Sequence, residues 1–280
     1  MISSMNRFKM AIAYDFDGTL ARGNIQENSF LPELGIDKDK FWEEVYTLCK
    51  EHEMDEVLGY MYLLIDKARK CDVPYTRESI KKHGEKVQYF PGVKEWFDNI
   101  NAYANAKSLA IEHYVVSSGN KEMIEGTSIA KYFTAIYASL FKYDANNVPQ
   151  WPALAVNYTN KTQYLFRINK GIHNAWENKQ INTYTPDHKR HILFPNIIYI
   201  GNGLNDVPAM KMVNYQGGYS IGLYDSNESK KAAYDLLKYN RVKYVVGANY
   251  ESGKDLDSLV RSIIDRIVIR EGVAHFGQDR

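Results

Sequence analysis

The sequence predicts an α/β fold, a doubly wound and mainly parallel sheet with helices on both faces and one inserted helical segment. Three observations predict it. Short apolar runs such as Met10–Tyr14 and Asn196–Ile200 alternate with stretches of helical spacing, the pattern of strands joined by crossover helices. The runs are apolar almost throughout, as strands covered on both faces are. Between Gly23 and Phe90 helical spacing continues with no strand-like run, which marks an insertion.

Taken in order, Met10–Tyr14 (MAIAY) reads as a buried strand that breaks into a tight acidic turn, Asp15-Phe16-Asp17-Gly18-Thr19. Phe41, Val45 and Leu48, then Val57, Tyr60, Met61, Leu64 and Ile65, recur at helical spacing. Pro91-Gly92 marks the return of the chain to the main sheet, and Val93–Ala102 reads as a helix. His113–Val116 is a short strand ending in Ser117-Ser118-Gly119-Asn120, with a helix from Lys121. Ile136–Phe141 and Ala153–Tyr158, around the turn-rich Asp144-Ala145-Asn146-Asn147, are expected to pair as a hairpin. Lys161–Ile168 reads as a helix and the polar Gly171–His191 as a surface excursion. Asn196–Ile200 is a strand that runs into Gly201-Asn202-Gly203 and a helix to about Val213. Tyr219–Leu223 and Val242–Val246 supply two more strands, and Leu256–Ile269 a closing helix. The expected organisation is a core of residues 1–22 and 90–280 with a helical cap at 23–89.

The 280 residues are 45% apolar and 25% charged, an ordinary globular composition. A net charge of +1 gives no global electrostatic reason to bind nucleic acid or an anionic membrane. The first nine residues lack the apolar core of a secretory signal, and no run approaches the ~20 apolar residues that span a bilayer. A cytoplasmic location is expected, with neither nucleic acid nor membrane as partner. Cys49 and Cys71 are too few for a disulfide framework and are expected as thiols packed in helices. The seven histidines form no zinc set. Gly-x-x-x-x-Gly-Lys-Ser/Thr does not occur, and Gly201-Asn202-Gly203 lacks the third glycine of a dinucleotide fingerprint.

Four segments carry chemistry, and each follows a predicted strand or opens a predicted helix. Asp15 and Asp17, two residues apart at a strand end, can converge on one cation and one phosphate, and Gly18 permits the sharp turn. Ser117-Ser118-Gly119 offers hydroxyl and main-chain N–H donors ahead of a helix. Lys161 opens a predicted helix. Gly201-Asn202-Gly203-Leu204-Asn205-Asp206 follows a strand directly. In sheets of this kind the ligand lies beyond the carboxyl ends of the strands, where these segments fall.

Asp15-Phe16-Asp17-Gly18-Thr19-Leu20 resembles the first motif, Asp-x-Asp-Gly-Thr, of the haloacid dehalogenase-like (HAD) hydrolases, and the other segments follow in that superfamily's order. The resemblance spans about Met10 to Tyr250 and is nearest to the phosphoserine phosphatase-like branch, which carries a helical cap after its first motif. It implies a magnesium-dependent phosphatase acting on a small phosphorylated metabolite through an aspartyl-phosphate. In that scheme Asp15 is the nucleophile and Asp17 the general acid and base, with a raised pKa. Ser117 or Ser118 supplies the phosphate-binding hydroxyl, Ser117 being favoured. Lys161 balances the charge of nucleophile and phosphate, with Lys170 as the fallback. Asp15, the main-chain carbonyl of Asp17, Asn202 and Asp206 surround Mg²⁺. The superfamily has Asp where this chain has Asn202. An amide oxygen can ligate Mg²⁺ but brings no charge. At ~4 Å and an effective dielectric of ~20 that charge is worth roughly 4 kcal/mol, so metal affinity is expected to fall by one to about three powers of ten. Gln26 and Glu27, where the chain enters the cap, are substrate-facing candidates. Two other functions stay open: a catalytically impaired binding or regulatory protein on this fold, and a phosphotransferase that passes the phosphoryl group to a second alcohol.

Overall fold

The computed structural model describes residues 8–71 and 73–277. Among the described residues seven strands form one sheet: β1 (Phe8–Tyr14), β2 (Leu109–Asn120), β3 (Phe133–Tyr143), β4 (Pro149–Leu154), β5 (Ile197–Gly201), β6 (Tyr219–Tyr224) and β7 (Tyr244–Gly247). Their order across the sheet is β4-β3-β2-β1-β5-β6-β7. Every neighbouring pair is parallel except β3 and β4. The chain winds from β1 to one side through β2 and β3, then crosses to β5 and continues the other way. The reversal beside β1 opens a crevice at the carboxyl ends of β1, β2 and β5.

Between β1 and the next strand the chain forms α1 (Phe30–Glu33), α2 (Lys38–His52), α3 (Glu56–Lys70), α4 (Arg77–Lys82) and α5 (Val93–Asn105). The first four make up the insertion. Asp37 and Asp55 cap α2 and α3 by accepting hydrogen bonds from N–H groups of the first turn. The outgoing and returning segments of this insertion run side by side. Arg22 N donates to Gln88 O at 2.8 Å, and Phe90 N to Leu20 O at 3.1 Å. The short α6 (Lys121–Glu125) follows β2, α7 (Lys161–Lys170) follows the β3–β4 hairpin, and α8 (Asn178–Asn182) lies within the polar excursion. Then α9 (Val207–Tyr215) follows β5, α10 (Asn227–Lys238) follows β6, and α11 (Asp255–Gly277) ends the described chain.

Alternation along β1 serves two cores. Met10, Ile12 and Tyr14 pack with α5 and α11, through Trp96, Phe97, Ile100, Val260 and Ile264. Ala11 and Ala13 face α7 and α9, through Leu165, Ile168, Met210 and Val213. Polar atoms inside the first core are paired: Trp96 Nε1 donates to the Tyr14 hydroxyl at 2.8 Å, which meets His113 Nδ1 at 3.1 Å. Burial lowers the His113 pKa to about 3, so the ring is neutral there.

The structure departs from the sequence reading in four places. The hairpin partner of β3 is Pro149–Leu154, not Ala153–Tyr158. Pro149 and Pro152 argue against a strand in a sheet interior, but β4 is an edge strand, where proline is tolerated. β2 extends well beyond His113–Val116, to Leu109 and Asn120: Glu112 interrupts the apolar run on one side, and the polar Ser117-Ser118-Gly119-Asn120 stays in the strand on the other. The helix α10 has no counterpart in the sequence reading. It is amphipathic but polar overall, with a charged first half (residues 227–231) and only Ala233 and Leu236 buried, and Ser226 and Ser229 form a capping box. Cys71 is exposed rather than packed; Cys49 is partly buried on α2, and both are free thiols. Among the described residues no helix is long and apolar enough to cross a membrane.

Candidate active site

The turn after β1 brings Asp15 to the sheet's edge without leaving the ladder. Asp15 N donates to Ile200 O at 2.9 Å, so β1 stays paired with β5 up to the carboxylate. Phe16 O then accepts from the N–H groups of Thr19, Leu20 and Ala21, and Gly18 takes φ +71°, a conformation that suits glycine. The buried Tyr250 hydroxyl donates to Thr19 O at 3.0 Å and holds the turn from behind.

Asp15, Lys161 and Asp206 form a buried row. Lys161 Nζ lies 3.2 Å from Asp15 Oδ1 and 2.8 Å from Asp206 Oδ1. Lys161 is wholly buried and Asp15 is 2% exposed. Burial alone would lower the Lys161 pKa, but the two carboxylates outweigh it and the pKa is raised, so the ammonium stays charged. Burial and the charge of Asp206 push Asp15 up to about 6, against the pull of Lys161. Asp206 is also held by Tyr199, whose hydroxyl donates at 2.7 Å, and by the main-chain N–H groups of Asn202 and Gly203 at 3.0 and 3.1 Å. A Cβ on Gly201 would overlap Asp206 Oδ2, so glycine there makes room for the carboxylate.

Asp17 is half-buried and opens toward the insertion. Its Oδ1 accepts from Ile25 N at 2.8 Å. Burial first, and then the charge of Asp15, hold its carboxyl well above the usual carboxylate range. Gly119 leaves it room: a Cβ there would lie 2.7 Å from Asp17 Oδ2. Of the two serines, Ser117 is fully buried and accepts from Gly119 N at 3.1 Å. Ser118 is partly exposed, lines the cavity, and accepts at its carbonyl from the Tyr60 hydroxyl of α3 at 2.8 Å. The fallback, Lys170, is remote from this group and donates to Ile181 O and Thr183 O.

Asn202 comes from the end of β5 to the β1 turn. Its side chain lies against Gly18, and its Oδ1 accepts from the Thr19 hydroxyl at 3.1 Å. Asp15 and Asn202 thus bring oxygen donors from adjacent strand ends, the donor type a hard cation such as Mg²⁺ takes. The donor set fits such an ion but is poor in charge: among the described residues no three His, Cys, Asp or Glu side chains gather in a metal-binding group. The sequence reading also places Asp206 beside the metal. In the structure its two oxygens already accept from Lys161, Tyr199, Asn202 N and Gly203 N, so the carboxylate orders the loop and the lysine.

Beyond Asp17 lies a cavity of about 480 Å³ between the insertion and the sheet. Gln26 and Glu27 both line it. Glu27 Oε1 accepts from Trp42 Nε1 and Asn24 Nδ2, each at 2.7 Å. Gln26 is 2% exposed, and among the described residues its Oε1 has no hydrogen-bond partner. Sequence reasoning missed Trp42, Glu56, Asn157 and Tyr158 in this wall, and took Tyr60 as packing alone. Trp42 and Tyr60 lie on amphipathic helices among core-forming residues, so the sequence does not distinguish them from core. Asn157 reaches the insertion by donating to Asp55.

No family model matches the chain. It is 32% identical to an uncharacterized protein of Borreliella burgdorferi over 280 residues, covering 88% of this chain and 93% of that protein. Among solved structures it resembles a HAD family hydrolase of Salmonella enterica serovar Typhi, with a TM-score of 0.54 and 16% identity over 84% of this chain, and it spans 66% of that hydrolase. A phosphoserine phosphatase carrying an analogue of its phospho-aspartyl intermediate gives a TM-score of 0.52 and 14% identity, covering 91% of this chain and 99% of the other. A substrate-bound phosphoserine phosphatase gives 0.51 and 13%, covering 84% and 99%. At these identities the likeness is one of fold.

Proposed function

The chain belongs to one family with the uncharacterized Borreliella burgdorferi protein and has the haloacid dehalogenase-like fold of the phosphoserine phosphatases, and from that premise we propose that it hydrolyses a small phosphate monoester through an aspartyl-phosphate on Asp15. The observation that carries the reading is the buried Asp15–Lys161–Asp206 row, with Asp17, whose carboxyl burial and Asp15 push upward, between it and the cavity.

Asp15 attacks phosphorus in line as the bond to the leaving alcohol breaks. Asp17, kept protonated by its surroundings, gives its proton to the departing oxygen. It then takes a proton from the water that attacks the aspartyl-phosphate, releasing phosphate and restoring Asp15. Lys161 offsets the charge of Asp15 and the phosphoryl oxygens. Ser118, the more open of the two serines, and main-chain N–H groups at the start of the following helix hold the phosphate, while buried Ser117 shapes the turn. Asp15, the Asp17 carbonyl and Asn202 would hold magnesium, which when bound neutralises charge between nucleophile and phosphate. Asp206 acts through Lys161 and the loop. Residues 23–89 serve as a cap that excludes water and selects the leaving group.

Asn202 favours a second reading, a binding protein whose turnover is lost with a metal-ligand charge. Hydrolysis of a generic aryl phosphate, with and without Mg²⁺, separates the two. Asp15→Asn is expected to lower the rate by at least about a thousandfold. Asn202→Asp is expected to lower the Mg²⁺ concentration for half-maximal rate by about one to three powers of ten. Phosphate-analogue binding with no turnover in any of the three chains would make the binding reading the better one.

A further inference from the structure

The cavity beyond Asp17 has a composition that points to its occupant. Asp17, Glu27 and Glu56 line it, and among the described residues no lysine or arginine does. The buried Lys161 is committed to Asp15 and Asp206. Three aromatic side chains line the wall, Trp42, Tyr60 and Tyr158, and the first two stand edge to face, 5.9 Å apart. Glu27 is fixed by two donors on Oε1, while Oε2 receives a long 3.5 Å hydrogen bond from Asn24 N. Glu27 and Asp17 line the same cavity, and Asp17 Oδ1 accepts from Ile25 N in the turn that carries Glu27. Gln26 adds an independent mark. It is a nearly fully buried amide in the cavity wall, and its acceptor oxygen has no donor among the described residues. A buried acceptor left unpaired is costly, and a ligand N–H would satisfy it.

We infer that this cavity takes a protonated amine, and that the substrate is the phosphate monoester of a small amino alcohol without a carboxylate. The inference rests on the phosphatase reading for the reaction but on the cavity alone for the ligand. Carboxylates attract the ammonium, an aromatic wall favours a cation, and the Gln26 oxygen accepts one of its N–H bonds. A carboxylate on the same alcohol would meet Glu27 and Glu56 with no lysine or arginine of the cavity wall to balance it.

The test compares ethanolamine phosphate with ethylene glycol phosphate, in which a hydroxyl replaces the ammonium, and with phosphoserine. Turnover is measured on the full chain, and binding by calorimetry on Asp15→Asn. The expected preference for ethanolamine phosphate over the glycol ester is about 10- to 100-fold in kcat/KM and in affinity, the scale of one close charge pair near a protein surface. Phosphoserine is expected to fall below ethanolamine phosphate by at least ~10-fold on the same ground. Glu27→Gln is expected to bring the ethanolamine-to-glycol ratio toward one. A ratio at or below one in the unmodified site, or phosphoserine equal to ethanolamine phosphate, overturns the inference while leaving the phosphatase reading intact. If no ester is hydrolysed, that reading falls, and the binding ratio still decides this one.

Discussion

The carboxyls of Asp15 and Asp17 are both pushed upward from an ordinary value of 3.8, Asp15 to about 6 and Asp17 well above its usual range. The folded state therefore holds protons that the unfolded state has released. Stability from these groups is fully present below about pH 4 and is lost as pH rises through the folded values. For Asp15 alone, a shift of that size amounts to about 3 kcal/mol as an order of magnitude. Asp17→Asn keeps an oxygen for Ile25 N and removes the cost of burying a titratable carboxyl beside Asp15. Urea denaturation with a chelator present is expected to show this variant more stable than the unmodified chain by about 1–2 kcal/mol at pH 8, with the gap closing by pH 4. A loss of stability at pH 8 in Asp17→Asn would mean instead that the carboxylate contributes net attraction.

The elements divide according to how strongly local pattern speaks. Strands buried on both faces, such as β1 and β5, stand out as apolar runs. The turn residues after them, with their glycines, are legible for the same reason. Position within the sheet is a tertiary property, and it misleads at the hairpin: Pro149 and Pro152 hide β4, because nothing local says a strand lies at an edge. The helix α10 escapes because, although amphipathic, it is polar overall and carries its stripe on few side chains, with only Ala233 and Leu236 buried. Asp15, Asp17 and Lys161 follow from motif order, and the structure brings them together. Trp42 and Tyr60 are not legible, because a helical period marks a buried face without saying whether that face meets core or cavity, and Asn157 lies in a loop where nothing local marks its contact with Asp55. Ser117 and Ser118 differ in burial, again a property of the folded state.

Contacts between elements also decide how the insertion is seated. Gly84, after α4, meets the segment that holds α6. A Cβ on Gly84 would overlap Met123 O and lie 2.9 Å from Gly126 C, both main-chain atoms that cannot swing aside. Gly84→Ala is expected to cost about 1–3 kcal/mol through forced displacement, read as a lower urea midpoint. The helix α6 also touches the turn Ile25–Glu27, which carries Gln26 and Glu27 of the cavity wall. KM for the amino-alcohol ester should therefore rise more than kcat falls. Unchanged stability would show that the insertion adjusts to the added methyl group.

For the molecule as a whole, topology explains why distant segments make one site. Adjacent parallel strands end at the same edge, so Asp15 after β1 and Asn202 after β5 become neighbours although most of the chain lies between them. Lys161 reaches them from the start of α7, and the insertion rises from the β1 turn itself to close the far side. The same architecture separates two tasks. The sheet edge holds the groups that would bear the phosphoryl transfer, while the insertion holds the groups that would recognise the alcohol. Changes at Glu27 or Trp42 should therefore alter selectivity, and changes at Asp15 should abolish turnover of every ester alike.

The division of tasks depends on Asp15 carrying the phosphoryl group during turnover. An acid quench of the chain while it turns over with Mg²⁺ present, followed by peptide mass spectrometry, reads this out. One phosphoryl group is expected on the peptide containing Asp15, and none in Asp15→Asn, which should release no phosphate above background. Phosphate release by Asp15→Asn at the unmodified rate, or a phosphoryl group on a different residue, would remove Asp15 from the role of nucleophile.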